Sequence, residues 1–402
     1  MAAPDCTGRK ERSAFGTAFF LSAFGYEVLF FCMTLRVYDI SRKAIDVGVF
    51  TAITILPKLV SPVCGAIVDG MGAMRTLLSA ALLTALLSTG LPLIDGLGSL
   101  YALWFLLSIL FMIQGNARTV LMTQVTDSGS GYIGGNALAF SLLNAARLAA
   151  PLCAGLLSRS LGTGGLTLMA AVGYSACAAS TACLVLGRQS PRQENGSVVA
   201  TLMEGFSRIR ISRELRLLVG LSAIRNFFLG FMPSLLVVLV TGRLGRTSAD
   251  YGIALTAAAF GSLGGSLAGP MITRLVRQRL VFGFGLGLHF LSFALLGLVK
   301  SYAAVVTLLV AGSFALYVAA VVVHAQRDGV TELAIRGRVY GSNTTLQAIP
   351  SLLSMLMAGA LADRFGVAPV FLVSGLMALA VMAAVAVGIA FRGQDLGPTH
   401  LS

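Results

Sequence analysis

Charge is what this chain has least of: Asp, Glu, Lys and Arg make up 11% of its 402 residues, against about 25% in soluble domains. Acids are the scarcer sign, 16 against 29 Lys plus Arg. So few ionisable groups cannot coat a globule of this size, which excludes a water-soluble fold. The three histidines, His289, His324 and His400, lie far apart with no acidic cluster beside them, which argues against a metal site. The six cysteines, Cys6, Cys32, Cys64, Cys153, Cys177 and Cys183, contain no Cys-x-x-Cys pair and sit mostly in apolar runs, so they read as reduced, packed thiols. No Gly-x-x-x-x-Gly-Lys loop occurs, so ATP is not the energy source on this chain. No nucleophile, base or metal-ligand set converges at one depth, which argues against an enzyme and leaves no cofactor to expect.

What is present is apolar: 56% of the residues are hydrophobic. Segments near 14–38, 46–69, 75–95, 99–124, 135–160, 163–187, 214–242, 250–274, 278–300, 302–325, 339–361 and 367–391 each approach the roughly 20 residues that a helix needs to cross a bilayer. The expected fold is therefore all-α and integral to a membrane, with twelve transmembrane helices. Arg9, Lys10 and Arg12 precede the first apolar run without a small-residue cleavage site after it, so that run reads as an uncleaved span. The formal charge of +13 would suggest nucleic acid in a soluble chain. Here Lys and Arg fall about twice as often on one side, which places both termini in the cytoplasm and removes nucleic acid as a partner.

The long polar interruption Gly187–Arg213 divides six spans from six. The expected domains are an N-terminal six-helix bundle at 1–187, a cytoplasmic linker at 188–213 and a C-terminal six-helix bundle at 214–402. One constant shift pairs Arg42 with Arg246, Asp46 with Asp250, Gly48 with Gly252, Gly65 with Gly269, Arg75 with Arg279, Gly155 with Gly359 and Gly162 with Gly366. Such a repeat of six spans is the signature of two pseudo-symmetric bundles around a substrate site.

The stretch Gly65-Ala-Ile-Val-Asp69-Gly-Met-Gly72-Ala-Met-Arg75 resembles the loop motif of the major facilitator superfamily: glycine, aspartate four residues on, glycine, then a basic residue. A degenerate copy, Gly269-Pro-Met-Ile-Thr-Arg274, follows span eight with Thr273 in place of the aspartate. Asn136-Ala-Leu, Asn144-Ala-Ala-Arg147, Glu204-Gly-Phe, Arg216-Leu-Leu and Arg336-Gly-Arg338-Val are similar to the branch that holds enterobactin-type siderophore exporters and macrolide efflux pumps. Ala150-Pro151-Leu-Cys-Ala-Gly155 approximates that superfamily's antiporter motif, with Ala150 where the motif has glycine. The resemblance implies the major facilitator fold, a bacterial inner membrane, alternating access, efflux and a monomer. On the same resemblance, Gly65, Asp69, Gly72 and Arg75 form a cytoplasmic gate, with Asp69 facing the start of span eleven near Gly341, Ser342 and Asn343. Arg118, in span four, is expected to snorkel or to tether a loop beside that gate.

Glu27, Lys58, Arg147 and Arg225 fall near the middle of spans one, two, five and seven, where an ionised group costs about 2.5–3.5 kcal/mol on insertion scales. One acid cannot neutralise three bases, so the expected cavity is wet and positive, suited to an anion. Arg147 and Arg225 could clamp a carboxylate in bidentate fashion with Lys58 as a point charge, and Tyr26 and Phe228 could line an apolar part. Two roles are open to Glu27: proton carrier, or ion-pair partner of a neighbouring arginine. His289 reads as packed, and Gly261, Gly265 and Gly269 as a small-residue face at a moving seam. A small anionic compound such as a carboxylate siderophore is the leading substrate, carried with protons. A drug or macrolide, or a lysophospholipid or other organic anion without proton coupling, are the alternatives.

Overall fold

Hydrocarbon offers no water to backbone amides, so a chain this apolar must satisfy its N–H and C=O groups within helices. The computed structural model describes residues 6–126, 131–185, 206–329 and 336–391, and among the described residues every regular element is helical. The first half holds α1 (Cys6–Ser41), α2 (Ala44–Ile55), α3 (Ser61–Met71), α4 (Ala73–Gly90), α5 (Leu97–Thr126) and α6 (Gly131–Val185). The second holds α7 (Arg213–Leu229), α8 (Phe231–Val237), α9 (Ser248–Leu275), α10 (Gln278–Leu296), α11 (Tyr302–Gly329), α12 (Arg336–Phe365) and α13 (Val367–Phe391).

The chain is a multi-pass membrane protein. Ten helices among the described residues are long and apolar enough to cross a bilayer, and eleven if one bent pair counts as a span. One of the ten, Ser141–Cys183, has 43 residues, about twice a single crossing. Its backbone leaves the helical region at Gly162 (φ 62°, ψ −174°), between the spans expected at 135–160 and 163–187. Gly366, paired with Gly162 in the repeat, also has positive φ (84°) and separates α12 from α13. The expected span 46–69 is not one rod. A tight 3-10 turn, Leu56–Val60, interrupts it, and the axis then bends by 61° between Ala44–Val60 and Val63–Met71. Pro57 and Pro62 lack the N–H that an unbroken helix would use there.

Polar side chains inside the spans mostly return to their own backbone. Thr34 donates to Phe30 O (2.6 Å), Thr84 to Ala80 O (2.7 Å), Ser88 to Thr84 O (2.7 Å) and Thr181 to Cys177 O (2.8 Å). Each hydroxyl thereby finds its acceptor on its own helix. Buried Arg36 solves a harder problem. Its guanidinium donates to Leu91 O (2.6 Å), Pro92 O (3.2 Å) and Ile94 O, carbonyls of the turn that follows α4, and lies 3.6 Å from Asp95.

Two compact units result. The first comprises α1 and the chain from Ile53 through α6, and the second comprises Lys43–Ala52 with α7 through α13. The assignment of Lys43–Ala52 departs from a division at the linker alone, and its cause is local. Asp363, near the end of α12, accepts from Ala44 N (2.6 Å) and Ile45 N (2.9 Å), which places a carboxylate on the open N-terminus of α2. A Cβ at Gly48 would sit 2.6 Å from Met355 O, so glycine is what lets α2 lie this near α12. Thr51 Oγ1 then meets Ser234 Oγ at 2.8 Å. Of the linker expected at 188–213, residues up to 205 lie outside the described residues, 206–211 is helical, and Ser212 caps α7 by accepting from Leu215 N (3.3 Å). Glu204 and His400 also lie outside the described residues, as do the side chains of Asn136, His324, Arg336 and Arg338.

Gly261 and Gly265 belong to a packed contact inside the second unit. A Cβ on either would overlap the carbonyl oxygen of Val310 or Phe314 on α11, and one on Gly269 would lie 2.7 Å from Val321 Cγ2. Gly265→Ala is therefore expected to lower the thermal midpoint of the solubilised protein, by an overpacking cost of about 1–3 kcal/mol. Gly283→Ala, where a Cβ meets nothing within 4 Å, is expected to leave the midpoint unchanged or raise it slightly through lost unfolded-state entropy. Equal melting of the two variants would refute this packing assignment.

Candidate functional site

Within the first unit, α1, the broken second span, α5 and α6 enclose a cavity of about 290 Å³. Helical spacing brings Ser22, Ala23, Tyr26 and Glu27 to one face of α1, and Ser108, Phe111, Met112 and Arg118 to one side of α5. The interrupted span contributes Thr54, Pro57 and Lys58, the last two from the 3-10 turn itself. From α6 come Leu143 and Arg147 before Gly162, and Tyr174 after it.

The charges gather here. Arg147 Nε lies 3.5 Å from Glu27 Oε1, with the carboxylate side chain 18% exposed and the guanidinium side chain 43%. Arg118 Nη1 donates to Ser22 Oγ (2.7 Å), and its guanidinium lies 5.1 Å from the centre of the Phe19 ring. With Lys58, the wall carries three cations and one carboxylate. Such an excess of one sign in a chamber with low-dielectric walls focuses a positive potential inside it.

Aromatic rings form the rest of the wall. Phe111 meets Tyr26 edge-on at 4.9 Å and stacks with Tyr174 at 6.0 Å, while Trp104 stands behind it at 5.8 Å. A Cβ at Gly25 would lie 2.7 Å from Tyr174 Cε2, so the absence of a side chain there seats the Tyr174 ring against α1. The indole of Trp104, fully buried, donates to Thr54 Oγ1 (2.9 Å), and Gln114 Nε2 donates to Thr84 Oγ1 (2.8 Å). Two buried hydroxyls of the cavity wall, Tyr174 Oη and Ser108 Oγ, have no hydrogen-bond partner among the described residues.

Of the residues expected at a substrate site, Glu27, Lys58, Arg147 and Tyr26 come together in this chamber. Arg118, expected beside the gate, joins them in its wall. Arg225 and Phe228 lie on α7 of the second unit. Phe228 is not a cavity residue there: at 6% exposure it packs with Leu286, Phe290, Ala319 and Ala378 in the apolar core. Its neighbour Asn226 donates to the Gln347 side-chain oxygen, and Gln347 Nε2 donates to Asn343 Oδ1 (2.8 Å). His289 Nδ1 pairs with Gly312 O at 2.9 Å. In the gate sequence, Asp69 is partly exposed at the end of α3 and Arg75 is exposed at the start of α4. Gly72 joins the two helices with φ 83°, donating to Val68 O (2.9 Å). A Cβ at Gly65 would meet nothing within 4 Å.

Solved structures share this architecture. The chain is similar to the nucleoside transporter NupG (TM-score 0.76, 12% identity, 94% of this chain and 99% of that one). It is also similar to a POT family transporter in complex with 5-aminolevulinic acid (0.76, 14%, 94% and 96%), and to a bacterial homologue of the iron transporter ferroportin in an inward-facing state (0.70, 14%, 94% and 98%). The fold is that of the major facilitator transporters. At these identities the likeness concerns the fold. No protein-family model and no curated protein matches the sequence.

Ser108, Gln114, Thr54 and Tyr174 were not singled out from sequence. The available signal was a hydroxyl or amide side chain inside an apolar run, but threonines and serines that bond back to their own helix give the same signal. Trp104 is the sole tryptophan, and its partner Thr54 lines the cavity. Thr54→Val is accordingly expected to shift Trp104 emission to the blue by removing the acceptor of the indole N–H, and a carboxylate entering the cavity should change the emission of the wild-type protein. Emission indifferent to Thr54→Val would mean that Trp104 does not sense this wall.

Proposed function

We propose that the protein is a secondary active transporter that exports a small organic anion across the cytoplasmic membrane by alternating access, with Glu27 coupling the movement to protons. The observation that carries this reading is the cavity itself: Lys58, Arg118 and Arg147 face one carboxylate, Glu27, in a chamber set inside apolar spans. An anionic group about 4 Å from a guanidinium gains about 4 kcal/mol at an effective dielectric of about 20, before desolvation is deducted. A cationic drug would meet like charge there, which disfavours the multidrug alternative. A chamber near the low end of the roughly 300–1,000 Å³ typical of small-molecule sites suits a small acid, or one acidic arm of a larger metallophore, better than a macrolide ring.

A specific observation favours a second reading of the coupling. Glu27 and the incoming anion would share Arg147, 3.5 Å from the carboxylate. An anion that takes over the guanidinium leaves Glu27 without its counter-charge, so proton and anion would load together and travel in the same direction. Export by exchange requires the opposite order, in which a proton loads only after the anion has left.

Vesicles reconstituted with the protein and loaded with a labelled carboxylate decide between them. Under proton exchange, acidifying the outside accelerates release, and under co-transport, acidifying the inside does so. In either case Arg147→Ala is expected to weaken anion binding at least tenfold. Glu27→Gln is expected to abolish the response to the pH gradient while leaving anion counterflow intact. An Arg147→Ala protein that binds anions as well as wild type would end the anion reading.

A further inference from the structure

Hydroxyls in these spans are as a rule consumed by the helix they stand on, as Thr34, Thr84, Ser88 and Thr181 are. Tyr174 and Ser108 break the rule. Tyr174 is fully buried and Ser108 is 4% exposed, both border the cavity, and neither oxygen has a partner among the described residues. A buried hydroxyl without a partner is costly, and the cost recurs as long as the site stays dry. Phenylalanine in place of Tyr174, or alanine in place of Ser108, would remove it at almost no loss of packing.

The two hydroxyls also share a location. Ser108 stands one helical turn before Phe111 on α5, and the Tyr174 ring stacks on Phe111 at 6.0 Å. Both therefore border the part of the cavity that Phe111 lines. The Tyr174 ring is held in place by the absence of a side chain at Gly25. The anion-binding groups are engaged separately, Arg147 with Glu27 and Arg118 with Ser22.

We propose that Tyr174 Oη and Ser108 Oγ form a neutral hydrogen-bonding subsite, beside the cationic group, that takes a hydroxyl or carbonyl oxygen of the transported molecule while its planar part lies on Phe111. This deepens the anion-transport reading by defining the substrate as an oxygen-bearing planar acid rather than a plain aliphatic or aryl carboxylate. A site built to bond an oxygen rejects the analogue that lacks it, because its own buried polar atoms are then left unpaired. The expected discrimination is tenfold or more.

The test is binding to the full-length purified protein, read by Trp104 emission, of four probes of matched shape: benzoate, 4-hydroxybenzoate, benzamide and 4-hydroxybenzamide. Comparing acid with amide reads the charge preference and thus the anion reading; comparing hydroxylated with unsubstituted reads the subsite alone. Wild type is expected to bind the hydroxylated member of each pair at least tenfold more tightly. Tyr174→Phe and Ser108→Ala, each of which removes a single oxygen, are expected to erase most of that difference, with the affinity for benzoate unchanged or improved. Equal binding of hydroxylated and plain probes by wild type, or variants that weaken both members of a pair alike, overturns the subsite whatever the charge comparison gives. A hydroxyl preference without an acid preference would leave the subsite standing and remove the anion reading.

Discussion

A charge cannot remain alone in hydrocarbon, and that constraint organises this molecule. It is met in three ways. Arg36 is met by backbone: its guanidinium donates to three carbonyls of the turn that follows α4. Asp363 does the reverse, accepting from the first amides of α2, where a helix exposes donors and a partial positive charge. The latter completes a helix terminus that would otherwise need water. The third way is the cavity, where Glu27, Lys58, Arg118 and Arg147 are gathered into one chamber. The first two use up the charge in holding the fold together, whereas the third keeps it facing open space.

Neutral polar groups divide along the same line. Serines and threonines bonded to the carbonyl three or four residues back cost the membrane segment little and specify nothing. Trp104 and Gln114 reach across to hydroxyls on other helices and fix how those helices pack. Tyr174 and Ser108 do neither, and their hydroxyls border the same chamber as the charges. Tyr174 and Ser108 are thus open where a solute could enter, although His289 Nε2, packed in the second unit, also lacks a partner among the described residues.

How much of this could be read from sequence follows from the range of the forces involved. Hydropathy acts over about 20 residues, so most of the spans and the break at Gly162 were legible, and Gly366, its partner by the constant shift, shares its positive φ. Glu27, Lys58 and Arg147 drew notice as charges inside apolar runs. Which way a side chain points is set by neighbouring helices, and there the inference weakens. Phe228 and Phe111 look alike in their spans, yet one fills a core beside Phe290 and the other lines the chamber. Arg118 stands four residues beyond Gln114 and reads as a span-end cation, but its guanidinium bonds to Ser22 on another helix. Gly261 and Gly265 signalled close packing correctly, while their partner, α11, was beyond what spacing can identify. The attachment of Lys43–Ala52 to the second unit depends on Asp363, which no local pattern connects to Ala44.

The interruption of the second span connects these themes. Pro57 prevents a regular helix, and the resulting turn, Leu56–Val60, carries Lys58 into the chamber wall. Lys58 stands on this turn and lines the cavity, and the axis bends by 61° just beyond it, between Ala44–Val60 and Val63–Met71. Irregular backbone at membrane depth is tolerated where it lines such a space, because the unsatisfied carbonyls can find water or solute there. Lys58 thus reaches the chamber wall from irregular backbone, and with Arg118 and Arg147 it outnumbers Glu27, the excess that gives the chamber its sign.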